Sequence, residues 1–140
     1  YAKFVNKTAT GTSIFMNFPP SSLSGIPELS EFPKEICSMY DVNQVMIIKN
    51  KIASIPPEIV NMKSLTNLNL SSNALTSLPV ELCQLTQLTK LNLSNNPITD
   101  FPVEIAQLKN LKKLNLKNTN LSEEKQAELQ ALLPNCKISF

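Results

Sequence analysis

Val42-x-x-Val45-x-Ile47-x-x-Asn50-x-Ile52-x-x-Ile55-Pro56-x-x-Ile59-x-x-Met62 is followed, in the same spacing, by Leu65-x-x-Leu68-x-Leu70-x-x-Asn73-x-Leu75-x-x-Leu78-Pro79-x-x-Leu82-x-x-Leu85. The pattern returns from Leu88 to Leu108, and its first half again from Leu111 to Leu121. A fixed period of this length denotes stacked supersecondary units, none of which can bury its apolar face alone. The stack therefore decides the fold, and it offers extended faces for binding.

Each unit opens with apolar residues two apart, the strand period, so these side chains point inward and their neighbours outward. Identical units stack side by side, which makes the strands a parallel sheet. Asn50, Asn73 and Asn96 follow each strand. Their amides are expected to turn inward and satisfy backbone groups of adjacent turns. Pro33, Pro56, Pro79 and Pro102 form a column and are expected at the first position of short helical turns. The x-x-I-x-x-L spacing after them suits a 3₁₀ or one-to-two-turn segment.

Carried backwards, the frame fits Leu29-x-x-Phe32-Pro33-x-x-Ile36-x-x-Met39 well, but its strand half falls poorly on Pro19, Ser22, Ser24 and Pro27. This divides a single domain, 1–140, into an N-terminal cap (1–18), four to five repeats (19–121) and a C-terminal cap (122–140). Phe4–Val5 and Ile14–Phe18, joined through Ala9-Thr10-Gly11-Thr12, are expected to pair as a hairpin covering the open end. At the other end Ser122-Glu123-Glu124 starts a helix with a capping residue and an acidic first turn. Ala127, Leu129, Leu132 and Leu133 are its expected apolar side, and Cys136–Phe140 reads as a final extended piece.

The L-x-x-L-x-L-x-x-N units over 29–121 resemble the leucine-rich-repeat family. The L-P-x-E-[IL]-x-x-L form, the 23-residue length and the ending Leu132-Leu133-Pro134-Asn135-Cys136-Lys137-Ile138 are similar to short secreted leucine-rich-repeat proteins of bacteria, of spirochaete type. The resemblance implies an α/β right-handed solenoid: a curved parallel sheet on the concave side, 3₁₀ or short helical turns on the convex side, and caps at both ends. It implies a concave face that binds proteins or peptides, and a secreted, cell-surface or periplasmic location; a cytoplasmic one stays open. Residue 1 is Tyr rather than Met, so no signal peptide can be read and export is allowed without being indicated.

Composition narrows the chemistry. The 13 basic residues are all lysine, histidine and tryptophan are absent, and the net charge is +2. Without histidine, the common general base and zinc ligand, catalytic triads and His-metal sites are excluded. Without arginine, bidentate reading of phosphate or guanine is excluded too, which argues against a nucleic-acid partner. Two glycines cannot build a phosphate loop, and no apolar run is long enough to span a bilayer. No enzyme, cofactor or metal site is expected. Glu35, Glu58, Glu81 and Glu104 are read as first-turn charges favouring their helical ends rather than as a cation site. The N-x-[S/T] matches carry little weight, because the repeat itself forces those at Asn69 and Asn92. Cys37 and Cys83 share a column two strands apart, about 10 Å at ~4.8 Å per strand. A disulfide needs Cα atoms within about 7 Å, so no such bond is expected, and the thiols, Cys136 included, act as small buried hydrophobes.

The frame also assigns the outward residues of the sheet. Ser21, Gln44, Asn67, Lys90 and Lys113 form one column, and Leu23, Met46, Asn69, Asn92 and Asn115 the next. Gly25, Ile48, Ser71, Ser94 and Lys117 form a third, and Ile26, Lys49, Ser72, Asn95 and Asn118 a fourth. Twelve of these are candidate ligand contacts: Gln44, Met46, Ile48, Asn67, Asn69, Ser71, Lys90, Asn92, Ser94, Lys113, Asn115 and Lys117. They grade from an apolar anchor, through an amide and hydroxyl field, to a basic end suited to an acidic partner segment. Each has a plainer reading. Met46 and Ile48 could be covered by residues 1–26, the asparagines could simply keep an open face wet, and the lysines could be a solvated surface. Five strands span roughly 24 Å, and three to four outward residues add about 10–13 Å, for a footprint on the order of 300 Å². Stable interfaces use about 800 Å² per partner, so this face suits a peptide or loop. The expected function is a monomeric protein- or peptide-binding module; the alternative is a structural or self-associating solenoid.

Overall fold

The computed structural model describes residues 5–8, 11–17 and 28–140. Among these residues seven strands form one open sheet in sequence order: β1 (Val5–Thr8), β2 (Gly11–Asn17), β3 (Val42–Ile48), β4 (Asn67–Asn69), β5 (Lys90–Asn92), β6 (Lys113–Asn115) and β7 (Lys137–Ser139). Only β1 and β2 pair antiparallel; from β2 to β7 every pair is parallel. Among the described residues four 3₁₀ turns, Lys34–Ser38, Pro57–Asn61, Val80–Gln84 and Val103–Gln107, form the opposite layer, and α1 (Glu123–Leu132) closes the C-terminal end.

Register follows the repeat frame. Ile14, Val45, Leu68, Leu91, Leu114 and Ile138 align across six strands, and the first five are buried at 2% exposure or less. Each such side chain fully buried contributes about 1.5–3 kcal/mol, so this row and its neighbours drive the stacking. The ladder asparagines do as their spacing predicts. Asn96 accepts the Leu75 N–H at 3.0 Å and donates to the carbonyls of Leu70, Leu93 and Ser94 at 2.9, 3.0 and 3.2 Å. Asn73 repeats the arrangement one turn earlier. At Thr119 the hydroxyl keeps one bond, to the Leu116 carbonyl.

Four details depart from the sequence reading. The strand before β3 is β2, with Ser13 opposite Gln44, Phe15 opposite Met46 and Asn17 opposite Ile48. The repeat frame assigns those rungs to Ser21, Leu23 and Gly25, which lie outside the described residues, as do Ile26 of the next rung and Phe4 and Phe18 of the expected hairpin. A strict period misses β2, because Phe15 and Met46 pair across more sequence than one repeat contains. The proline column precedes the 3₁₀ turns instead of opening them: Pro33, Pro56, Pro79 and Pro102 are extended caps with φ between −71° and −77°. Lacking an N–H, each still offers its carbonyl, which accepts the first i→i+3 bond, as Pro79 does from Leu82 at 3.2 Å. Lys49, Ser72, Asn95 and Asn118 are left-handed at φ 56–58°, so the fourth column forms a corner that leaves the sheet. Ala127 is exposed, while Leu129 and Leu133 anchor α1. Its cap is as expected, the Ser122 hydroxyl accepting from the Lys125 N–H.

The hairpin joins the stack along six β2–β3 rungs, from Thr12–Val42 to Asn17–Ile48, and side chains reinforce its start. Thr12 donates its hydroxyl to Asp41 at 2.7 Å. Gly11 has φ +139°, and a Cβ there would run into the Asn43 side-chain amide. Gly11→Ala is therefore expected to cost about 1–3 kcal/mol and to raise amide exchange in β1 and β2 while β4–β6 keep their protection. Hydrogen exchange read by mass spectrometry checks this, and uniform exchange changes would argue against a separately anchored hairpin.

Candidate functional site: the outer face of the parallel sheet

Alternation places Asn69, Asn92 and Asn115 on the face away from the core, in one row with Phe15, Met46 and Ser139. Ser13, Gln44, Asn67, Lys90, Lys113 and Lys137 form the parallel row. These rows enclose a hollow of about 350 Å³, bordered by Met46, Asn67, Asn69, Lys90, Asn92, Lys113, Asn115, Lys137 and Ser139. Two of its members, Lys137 and Ser139, are missing from the sequence-derived set. Lys137 pairs with Lys113 one position later than the repeat would place it, because α1 replaces the usual return path. The Lys137-Ile138-Ser139 alternation, with an apolar residue at its centre, is the available signal.

The candidates divide. Gln44, Asn67, Asn69, Asn92 and Asn115 are half-buried along the face, while Lys90 and Lys113 are exposed. Met46 and Ile48 are half-buried, so neither is sealed; Met46 borders the hollow and Ile48 lies beyond it. Ser71 and Ser94 are buried, at 8% and 7% exposure, and do not border it. The reason is a local turn in which the Asn69 and Asn92 oxygens accept the N–H of Ser71 and Ser94 at 3.0 and 3.1 Å. That folds the third column against the chain. Ser94 also donates its hydroxyl to Asn92 at 2.8 Å. Lys117 stays exposed, its N–H held by Asn115 at 3.1 Å.

Charge is segregated. All eleven acidic residues lie outside β3–β7. Glu35, Glu58, Glu81 and Glu104 occupy the first turns of the 3₁₀ layer. Among the described residues the ion pairs use Lys34, Lys51 and Lys125, never Lys90, Lys113, Lys117 or Lys137. No group of three or more His, Cys, Asp or Glu among them could hold a metal ion. Cys37, Cys83 and Cys136 are buried free thiols. Burial, then the Glu58 and Glu35 carboxylates, pushes Cys37 up to about 11. Burial, then Glu104 and Glu81, does the same to Cys83, and burial raises Cys136. These thiols are protonated at neutral pH and are poor nucleophiles. No described helix is long and apolar enough to cross a membrane.

Known proteins carry the same pattern. Two leucine-rich-repeat family profiles match, over residues 42–98 and 86–129, together spanning 42–129. No curated protein matches in sequence. Among solved structures, a leucine-rich-repeat protein of Leptospira interrogans superposes with TM-score 0.71 and 34% identity over 81% of this chain. An internalin of Listeria monocytogenes superposes with TM-score 0.68 and 27% identity over 79%. The chain spans only 35% and 31% of those two proteins. The leucine-rich-repeat ectodomain of the receptor kinase SOBIR1 from Arabidopsis thaliana, at 20% identity and TM-score 0.65 over 96% of this chain and 75% of that one, shares the fold. Repeat, ladder asparagine, parallel sheet and 3₁₀ layer agree with these matches, and the chain belongs to the leucine-rich-repeat family.

Proposed function

We propose that this chain is a non-enzymatic binding module that holds a protein segment or peptide on the outer face of its parallel sheet. The observation that carries this reading is the hollow bordered by asparagines and by lysines that make no ion pair among the described residues, on a face free of acidic residues. Proteins of this fold commonly serve as interaction modules, and an exported or surface location is part of this proposal. The size of the face favours a loop or extended segment over a broad globular interface.

The test is a comparison of surfaces. Proteins captured by the wild-type chain are expected to be lost with Asn92→Arg or Lys113→Glu, both on the face. They should be retained with Gln107→Arg or Lys109→Glu, exposed residues at the end of the last 3₁₀ turn and just beyond it. Retention by all four variants would remove the sheet face from consideration. Light scattering of the same samples reads self-association; a monomer that still captures its partner is the expected result.

A further inference from the structure

From β4 to β7 the face is rich in hydrogen-bond donors. Asn69, Asn92 and Asn115 each spend the side-chain oxygen on the N–H two residues ahead, at 3.0, 3.1 and 3.1 Å. Only an oxygen can accept from a backbone N–H, so this bond fixes which end of the amide faces inward. It leaves three NH₂ groups that no described residue accepts from. One position to the side, Lys90, Lys113 and Lys137 add a row of ammonium groups without carboxylate partners among the described residues. A surface that donates along two adjacent rows is complementary to a ligand that accepts along two rows.

We infer that the ligand is an extended acidic peptide segment lying across the strands, with backbone carbonyls within the row of Asn69, Asn92 and Asn115 and two carboxylates within the row of Lys90, Lys113 and Lys137. The inference rests on the reading of this face as the binding site. The spacing fits. Strands repeat every ~4.8 Å, so Lys90 to Lys137 spans about 9.6 Å, while an extended chain repeats side chains on one side every ~6.6 Å. Two carboxylates at i and i+2 therefore fall within the lysine row. A single-stranded nucleic acid is the weaker match, because such sites use aromatic stacking platforms and arginine. The chain has no arginine and no tryptophan, and only lysine, asparagine, serine and Met46 surround the hollow besides core leucines.

The experiment uses the whole chain and a fluorescent eight-residue peptide of alternating Glu and Ser, with the Gln/Ser peptide and a thymidine octanucleotide as comparisons. Fluorescence polarisation at low ionic strength is expected to show binding of the Glu/Ser peptide, about tenfold weaker for Gln/Ser, and falling with added salt. Lys113→Gln with Lys137→Gln should weaken it by about tenfold as well. Asn92→Asp is the most specific variant. It keeps an oxygen for the Ser94 N–H, and so keeps the turn, but puts a carboxylate where the donor stood; a loss of similar size is expected. Equal affinity for Glu/Ser and Gln/Ser, indifference to Asn92→Asp, or equally tight binding of the oligonucleotide would each overturn the inference. Should the acidic peptide fail to bind while Asn92→Arg still abolishes protein capture, the inference falls and the face remains the site. Should capture also survive, both fall.

Discussion

Replacing Asn96 with leucine is expected to cost about 3–5 kcal/mol of folding stability, more than a typical core truncation by one methylene. The side chain is 1% exposed and makes four bonds to backbone, one accepted from Leu75 and three donated to Leu70, Leu93 and Ser94. Leucine has a similar volume, so the loss is not a cavity. It comes from an N–H and carbonyls that stay buried with no water to replace the amide, at about 1–3 kcal/mol for a group left unsatisfied. The Leu70 and Ser94 carbonyls suffer least, since Asn73 also donates to the first and the Ser72 N–H to the second at 2.9 Å, so the loss falls mainly on the Leu75 N–H and the Leu93 carbonyl. Asn96→Asp should be nearly as damaging, because its carboxylate would face three carbonyls. Asn120→Ala, at an exposed position outside the left-handed region, should cost tenths of a kcal/mol by the usual measure of surface sites. Urea unfolding reads this as a midpoint shift of about 2 M for Asn96→Leu. A shift under about 0.5 M would mean that the ladder does not hold the turns.

The second large effect concerns pH. Cys37 and Cys83 ionise near 11 in the folded chain, against an ordinary value of 9.0. Below pH 9 both states keep the protons and the thiols add no pH dependence. Between 9 and 11 the unfolded chain releases protons that the folded chain retains, so the unfolded state binds fewer and stability falls as pH rises. The slope is at most about 1.4 kcal/mol per pH unit for each thiol. Discounting the exposed carboxylates for screening, the pair should remove roughly 2–4 kcal/mol by pH 11. Alkali acts on the whole chain, so the quantity to read is the difference from the Cys37→Ala/Cys83→Ala variant. That variant is expected to lose less stability on the same alkaline ramp. Parallel curves would show that the thiols are not shielded in the 3₁₀ layer.

Sequence and structure agree where one physical rule fixes both. Leu68, Leu91 and Leu114 have to face inward because their spacing allows nothing else, and Asn73 and Asn96 have to satisfy the turn that buries them. The differences arise where chain geometry departs from the period. Strand β2 precedes β3 by more than one repeat, and β7 follows β6 one position late, so Ser13, Phe15, Lys137 and Ser139 fall outside the repeat frame. The burial of Ser71 and Ser94 is illegible for another reason. Whether a short polar side chain points out depends on the turn made by Asn69 and Asn92, which is a backbone hydrogen bond rather than a hydrophobic pattern. The same bond aims the amide groups outward, so the donor character of the face cannot be read from composition either.

That donor face is tested most directly by nuclear magnetic resonance of the labelled chain during titration with the Glu/Ser peptide. The side-chain amide signals of Asn69, Asn92 and Asn115 are expected to shift together, with the backbone signals of β4–β7. Those of the 3₁₀ turns Pro57–Asn61, Val80–Gln84 and Val103–Gln107 should stay in place. Shifts confined to the 3₁₀ layer, or to α1, with the three asparagine amides unmoved, would contradict the assignment of the sheet's outer face as the binding surface.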